Sequence, residues 1–174
     1  SFIEYKQLSD EFRSDLGFIS TNNQKKYTLW HGYYKFPNKD LIKRYRISLR
    51  QDFDYDYSNN ISRSNFQGYL GFLTVLNTDV LYNYEYNFIK SHLEFQFKDF
   101  INHWLRVESQ PTDFLNFNFW YKWGKDIAYR IETPMLGMVN DIRLSSEISI
   151  NENFRIRPNI NYSSIKKLDS DEYY

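Results

Sequence analysis

The segment 41–57, Leu-Ile-Lys-Arg-Tyr-Arg-Ile-Ser-Leu-Arg-Gln-Asp-Phe-Asp-Tyr-Asp-Tyr, constrains the fold most, because at a period of two it separates into chemically opposite rows. One row is Leu41, Lys43, Tyr45, Ile47, Leu49, Gln51, Phe53, Tyr55 and Tyr57. The other is Ile42, Arg44, Arg46, Ser48, Arg50, Asp52, Asp54 and Asp56. Successive side chains of a β-strand point to opposite faces. A strand here has one mostly apolar, aromatic side and one side of arginines followed by aspartates.

The alternation returns along the chain. Val80, Tyr82, Tyr84, Tyr86 and Phe88 alternate with Leu81, Asn83, Glu85 and Asn87, and Leu93, Phe95 and Phe97 with His92, Glu94, Gln96 and Lys98. Leu115, Phe117, Phe119, Tyr121 and Trp123 alternate with Asn116, Asn118 and Lys122, leaving Trp120 out of pattern. Two further runs, 141–150 and 154–162, behave alike, while 61–76 has apolar residues in both rows. Each run reads as a strand with one buried or lipid-facing side. Composition agrees: aromatic residues make up 20% of the chain, and Ala128 is its single alanine, the best helix former. Clusters at 37–40, 58–60, 77–79 and 151–153 are rich in Asn and Asp, which tolerate positive φ and close hairpins. Longer polar connections are expected near 102–113 and 124–139. Pro158, inside a strand pattern, marks an edge, a bulge or a strand end. The chain is expected to be all-β, an antiparallel up-and-down meander of roughly eight to ten strands without helix.

Two architectures accept this pattern. A soluble sandwich or barrel turns the apolar row inward. A transmembrane barrel turns it to lipid and encloses the charges in a wet lumen. Strands of globular proteins have roughly five or six residues, whereas crossing a bilayer takes roughly 9–11. Segment 41–57 exceeds both. Its Tyr and Phe suit a membrane interface better than a close core, where every buried phenol needs a partner. The expectation is a transmembrane barrel, partial within residues 1–174. Tyr45, Ile47, Leu49, Tyr82, Tyr84, Tyr86, Phe117 and Phe119 would face lipid. Arg44, Arg46, Arg50, Asp52, Asp54, Asp56, Arg155 and Arg157 would line the lumen.

Net charge is zero and the pI is near 6.8, so the chain lacks the basic footprint of a nucleic-acid binder. Without cysteine there is no disulfide, thiol nucleophile or Cys-based zinc site. A mean hydropathy of -0.69 and the absence of a long apolar run argue against transmembrane helices and leave a barrel open. The chain opens Ser-Phe-Ile-Glu-Tyr and ends Leu-Asp-Ser-Asp-Glu-Tyr-Tyr; both ends read as cut from a longer single-barrel chain.

Three stretches also carry a family resemblance: Asp15-Leu16-Gly17-Phe18-Ile19-Ser20, Phe119-Trp120-Tyr121-Lys122-Trp123-Gly124-Lys125-Asp126-Ile127, and the hairpin 142–162. Together they resemble the C-terminal β-barrel of large bacterial outer-membrane proteins that begin with a carbohydrate-binding family 9-like domain. The resemblance is diffuse and spans most of the chain. It implies an outer-membrane location and supplies no catalytic residues.

Asp52-x-Asp54-x-Asp56 resembles the start of an EF-hand loop, but that loop needs Gly at its sixth and Glu at its twelfth position, where Tyr57 and Arg63 stand. A solvated strand end outweighs a hard-cation site at the rim. Arg44, Arg46 and Arg50 either form a constriction for anions or pair with carboxylates of neighbouring strands, and small barrels are normally filled by such pairs. His31, His92 and His103 lack metal-ligand spacing, and no nucleophile elbow occurs. Trp30, Trp104, Trp120 and Trp123 are expected to anchor the barrel at the lipid interfaces, sugar stacking being the alternative. Gly68 and Gly71 are expected as strand kinks or gaps filled by a neighbouring aromatic.

The reading is therefore a bacterial outer-membrane barrel acting as scaffold, pore or subunit of an envelope assembly, not an enzyme and without a cofactor. Its expected partners are the lipid bilayer and lipopolysaccharide, with other outer-membrane or periplasmic subunits and no nucleic acid. The alternative is a soluble β-barrel or sandwich that binds a ligand in an aromatic cavity.

Overall fold

A computed structural model describes residues 1–8, 24–37, 41–56, 58–92, 94–129, 133–151 and 154–168. The stretch Asp15 to Ser20, Tyr57, Leu93 and most of the 37–40 and 151–153 turns lie outside the described residues. Among those described, ten strands and no helix occur: β1 (Phe2–Leu8), β2 (Gln24–Lys35), β3 (Ile42–Asp56), β4 (Ile61–Thr74), β5 (Thr78–His92), β6 (Phe95–Thr112), β7 (Leu115–Ala128), β8 (Met135–Asn151), β9 (Phe154–Ile156) and β10 (Asn159–Lys167).

All ten form one antiparallel sheet, in which each strand from β1 to β8 pairs with the next and β10 follows β8. β9 also pairs with β8, further along it, so β9 and β10 are two pieces of one edge. The break falls at Pro158, which has no N–H to give the ladder, while its carbonyl still accepts from Ser146 N at 3.1 Å. No pairing joins β1 to β10 among the described residues, and the sheet is open.

The two longer polar connections are not there. Residues 102–112 belong to β6, and within 124–139 residues 124–128 belong to β7 and 135–139 to β8. Asn102, Trp104, Arg106 and Glu108 occupy one face of β6, and Ile101, His103, Leu105 and Val107 the other. His103 and the polar partners dilute the apolar period, yet ladders to β5 and β7 satisfy the backbone on both sides. Backbone pairing overrides the polar composition.

Register puts the alternating rows of neighbouring strands on common faces. Tyr45, Ile47 and Leu49 stand opposite Phe72, Leu70 and Gly68, and these opposite Val80, Tyr82 and Tyr84. The row continues through Val107, Leu105 and His103 to Phe119, Tyr121 and Trp123, then to Leu144, Ile142 and Asn140. On the other face, Arg50, Gln67, Glu85, Asn102 and Gly124 form one cross-strand row, and Leu81, Arg106, Trp120, Arg143 and Asn161 another.

The covered face is the polar one. Asp52, Asn65, Asn83 and Asn87 are fully buried, whereas Tyr45, Ile47 and Leu49 remain 42–51% exposed. Leu81, Phe100 and Val139, among the few buried apolar side chains, also stand on the polar face. Every described strand belongs to the one sheet, so no second described layer covers either side. The polar side is the crowded one, although no second described layer lies on it.

Candidate functional site

The polar face is laced by ion pairs between strands. Arg44 and Arg46 of β3 both reach Asp79 of β5, at 3.7 and 3.4 Å. Lys26 approaches Asp54 at 3.9 Å, and Arg63 approaches Glu85 at the same distance. Toward the other edge, Lys90 and Lys122 converge on Asp126, with Lys90 at 3.6 Å. Arg143 pairs with Asp141 at 2.9 Å. Glu147 receives Arg155 at 3.2 Å and Arg157 at 2.7 Å.

The three aspartates of β3 are engaged separately. Asp52 is fully buried and accepts from Thr28 Oγ1 at 2.6 Å and Arg50 Nε at 2.8 Å. Asp54 leans toward Lys26. Asp56 belongs to the β3–β4 turn, where it accepts from the backbone N of Asn60 at 2.7 Å and from its Nδ2 at 2.9 Å. The Asn60 amides hold the Asp56 carboxyl below the usual carboxylate range. Among the described residues no group of three metal-ligating side chains converges.

The residues singled out from the sequence thus divide between the faces. Arg44, Arg46, Arg50, Asp52, Asp54, Arg155 and Arg157 stand on the polar face, and Asp56 caps a turn at its rim. Tyr45, Ile47, Leu49, Tyr82, Tyr84, Tyr86, Phe117 and Phe119 share the apolar one. Sequence reasoning missed Asp79, Lys26, Glu85 and Asp126, on which several of these pairs depend. Hairpin register was the available signal: Arg44 stands in line with Leu73 and Asp79 once β3, β4 and β5 are laid antiparallel.

The tryptophans correct the interface expectation. Only Trp123 lies on the apolar face, in a stack with Tyr121 and His103 whose centroids are 5.0 and 5.2 Å away. Trp30, Trp104 and Trp120 stand on the polar face. Trp120 lies under the Arg143 guanidinium, 4.6 Å from its ring centre, and Trp104 meets Tyr69 edge-on. Indole placement followed strand parity, and residue type was the weaker guide.

Most of the described glycines open gaps on the polar face, but aromatics do not generally fill them. A Cβ at Gly71 would lie 2.7 Å from Arg46 Nε, so the arginine stem occupies that space. Gly68, on the apolar face, faces Leu49. Among the described glycines, Gly32 alone is covered by an aromatic, the Trp30 ring of its own strand.

Four amides remain unusual. Among the described residues, both side-chain polar atoms of Asn83, Asn87 and Asn102 are buried without a protein partner, while Asn65 gives its Nδ2 to Glu85 at 2.7 Å and its oxygen has none. Buried amides without partners normally hold water. Compared with protein-family models, curated proteins and solved structures, the chain matches none of them.

Proposed function

We propose that residues 1–174 form much of the wall of a transmembrane β-barrel in a bacterial outer membrane, as part of a scaffold, a pore or a subunit of an envelope assembly. One observation carries this reading: the sheet is inverted relative to a soluble protein, with amides and ion pairs crowded on its covered side and an uncovered band of Tyr, Phe, Ile and Leu on the other. Lipid suits that band, and water suits the enclosed charges. Bilayer and lipopolysaccharide are the partners of the outer face. A soluble sandwich would need a second layer over the band, which no described strand supplies.

Strand length supports the same reading. β3, β4, β5 and β7 have 15, 14, 15 and 14 residues, more than the roughly 9–11 a tilted strand needs to cross. Closure has a parity condition. The sheet has nine positions, all antiparallel to their neighbours, so β1 and β10 run the same way. Joining them directly would make a parallel pair; an all-antiparallel barrel takes an odd number of further strands between them. A second copy inserted in the same orientation brings the same parallel clash at its seam, so strands of the same polypeptide or of a different subunit are the closing elements.

Single-tryptophan variants of the complete protein, folded into vesicles of brominated phospholipid, test the assignment of faces. Trp123 should be quenched by the lipid, and Trp104 and Trp120 should not. Equal quenching at all three positions, or none at Trp123, would sink it.

A further inference from the structure

On the polar face of β6, β7, β8 and β10 two cavities of about 420 and 360 Å³ adjoin, sharing Asn118, Ser145 and Asn159 as walls. The larger one also touches Trp120, Arg143 and Asn161. Together they make one groove, roughly the size that holds a small ligand.

The lining selects against ions. Arg106, Arg143 and Arg157 each face a carboxylate: Glu108 at 3.5 Å, Asp141 at 2.9 Å and Glu147 at 2.7 Å. An anion would have to break those pairs, and the carboxylates are equally committed against a cation. An apolar ligand would strip water from amide and hydroxyl walls that it cannot satisfy. What remains is a neutral molecule rich in groups that both donate and accept. Carboxamides do both, as sugar hydroxyls do. Trp120 and the planar guanidinium stacked on it add a flat wall for the C–H face of a pyranose.

We propose that this groove takes an uncharged, polyhydroxylated solute, a short saccharide, with the Arg143 guanidinium stacked on Trp120 as platform and Asn118, Asn159 and Asn161 as its hydrogen-bonding groups. The proposal rests on the reading of the polar face as open to water inside a barrel. Calorimetric titration of the complete protein, folded in a detergent without a sugar head group, tests it with maltotriose, cellotriose and chitotriose, and with inorganic phosphate as the charged comparison. At least one trisaccharide should bind saturably, with the same affinity at low and high salt. Trp120→Ala should weaken it roughly tenfold, the loss of one stacked ring, and Trp123→Ala on the opposite face should not. Asn159→Ala, at an exposed edge position, should weaken it even if the tryptophan variant fails to fold. No binding by any of the three sugars, binding indifferent to both groove variants, or tighter binding of phosphate would overturn the saccharide assignment. Lipid quenching of Trp123 in the same preparation reports separately whether the barrel reading stands.

Discussion

At the scale of single residues, the two faces of β3 respond oppositely to a change of charge. Ile47 is half exposed on the apolar band, with no described group near it to neutralise a cation. Ile47→Arg should cost roughly 2–4 kcal/mol in a bilayer, the penalty of a guanidinium against hydrocarbon near mid-membrane. Its neighbour Arg46 shares Asp79 with Arg44, so Arg46→Gln leaves that carboxylate a partner and should cost no more than about 1 kcal/mol. Urea titration of both variants in vesicles measures the contrast. If Arg46→Gln proved the costlier, the faces would be reversed.

At the scale of strands and turns, backbone geometry decides. Gly124 of β7 sits at φ 108°, and a Cβ there would lie 2.7 Å from the Ile101 carbonyl oxygen and 2.9 Å from Asn102 Cα, on the neighbouring strand. Neither obstacle is a flexible side chain. Gly124→Ala should therefore destabilise by roughly 1–3 kcal/mol, the scale of a backbone held in a region L-residues avoid. Equilibrium unfolding of that variant beside Gly68→Ala, where a Cβ would meet only Leu49 at 3.9 Å, separates strain from glycine loss in general. The β3–β4 turn makes a pH-dependent contribution. Asp56 is ionised more readily folded than unfolded, so its contribution is present above the usual carboxylate range and lost as pH falls through the lowered folded value. Asp56→Asn should flatten the acid limb of stability, and an unchanged acid limb would show that the Asn60 contacts contribute little.

At the scale of the whole molecule, the open edges and the balanced charges have consequences. Among the described residues no strand pairs with the outer side of β1 or of the β9–β10 edge, and an open edge is one that lipid cannot satisfy and another chain readily pairs. Residues 1–174 alone should aggregate in plain buffer and hold β-structure only in detergent. A monodisperse, cooperatively melting monomer in buffer would favour the soluble alternative. On the polar face nearly every described arginine and lysine meets a carboxylate, and because Asp79, Asp126 and Glu147 each serve two cations the pairs carry a small positive excess spread over three places. A strongly selective filter needs a surplus concentrated at one constriction. Planar-bilayer recording of the complete protein should find at most a modest preference for anions. Large, stable openings of one selectivity would mean that the arginines of β3 are not held in these pairs.

Much of this was legible along the chain because a strand's side-chain period is local. The alternation at 41–57, 80–88 and 115–123 determined the all-β class, the antiparallel meander and the membership of each face. It even marked Trp120 as out of pattern with its apolar neighbours. Where one row was polar and the other diluted, as at 102–112, the local signal failed, because that strand is secured by ladders to β5 and β7 and not by its own composition. Only the tertiary structure decided the rest. Which carboxylate meets which arginine depends on register across three strands, as with Arg44, Leu73 and Asp79. Which side chains are covered depends on how the rows of neighbouring strands crowd one another. Both arise from contacts distant in sequence, and a one-dimensional period carries no information about either.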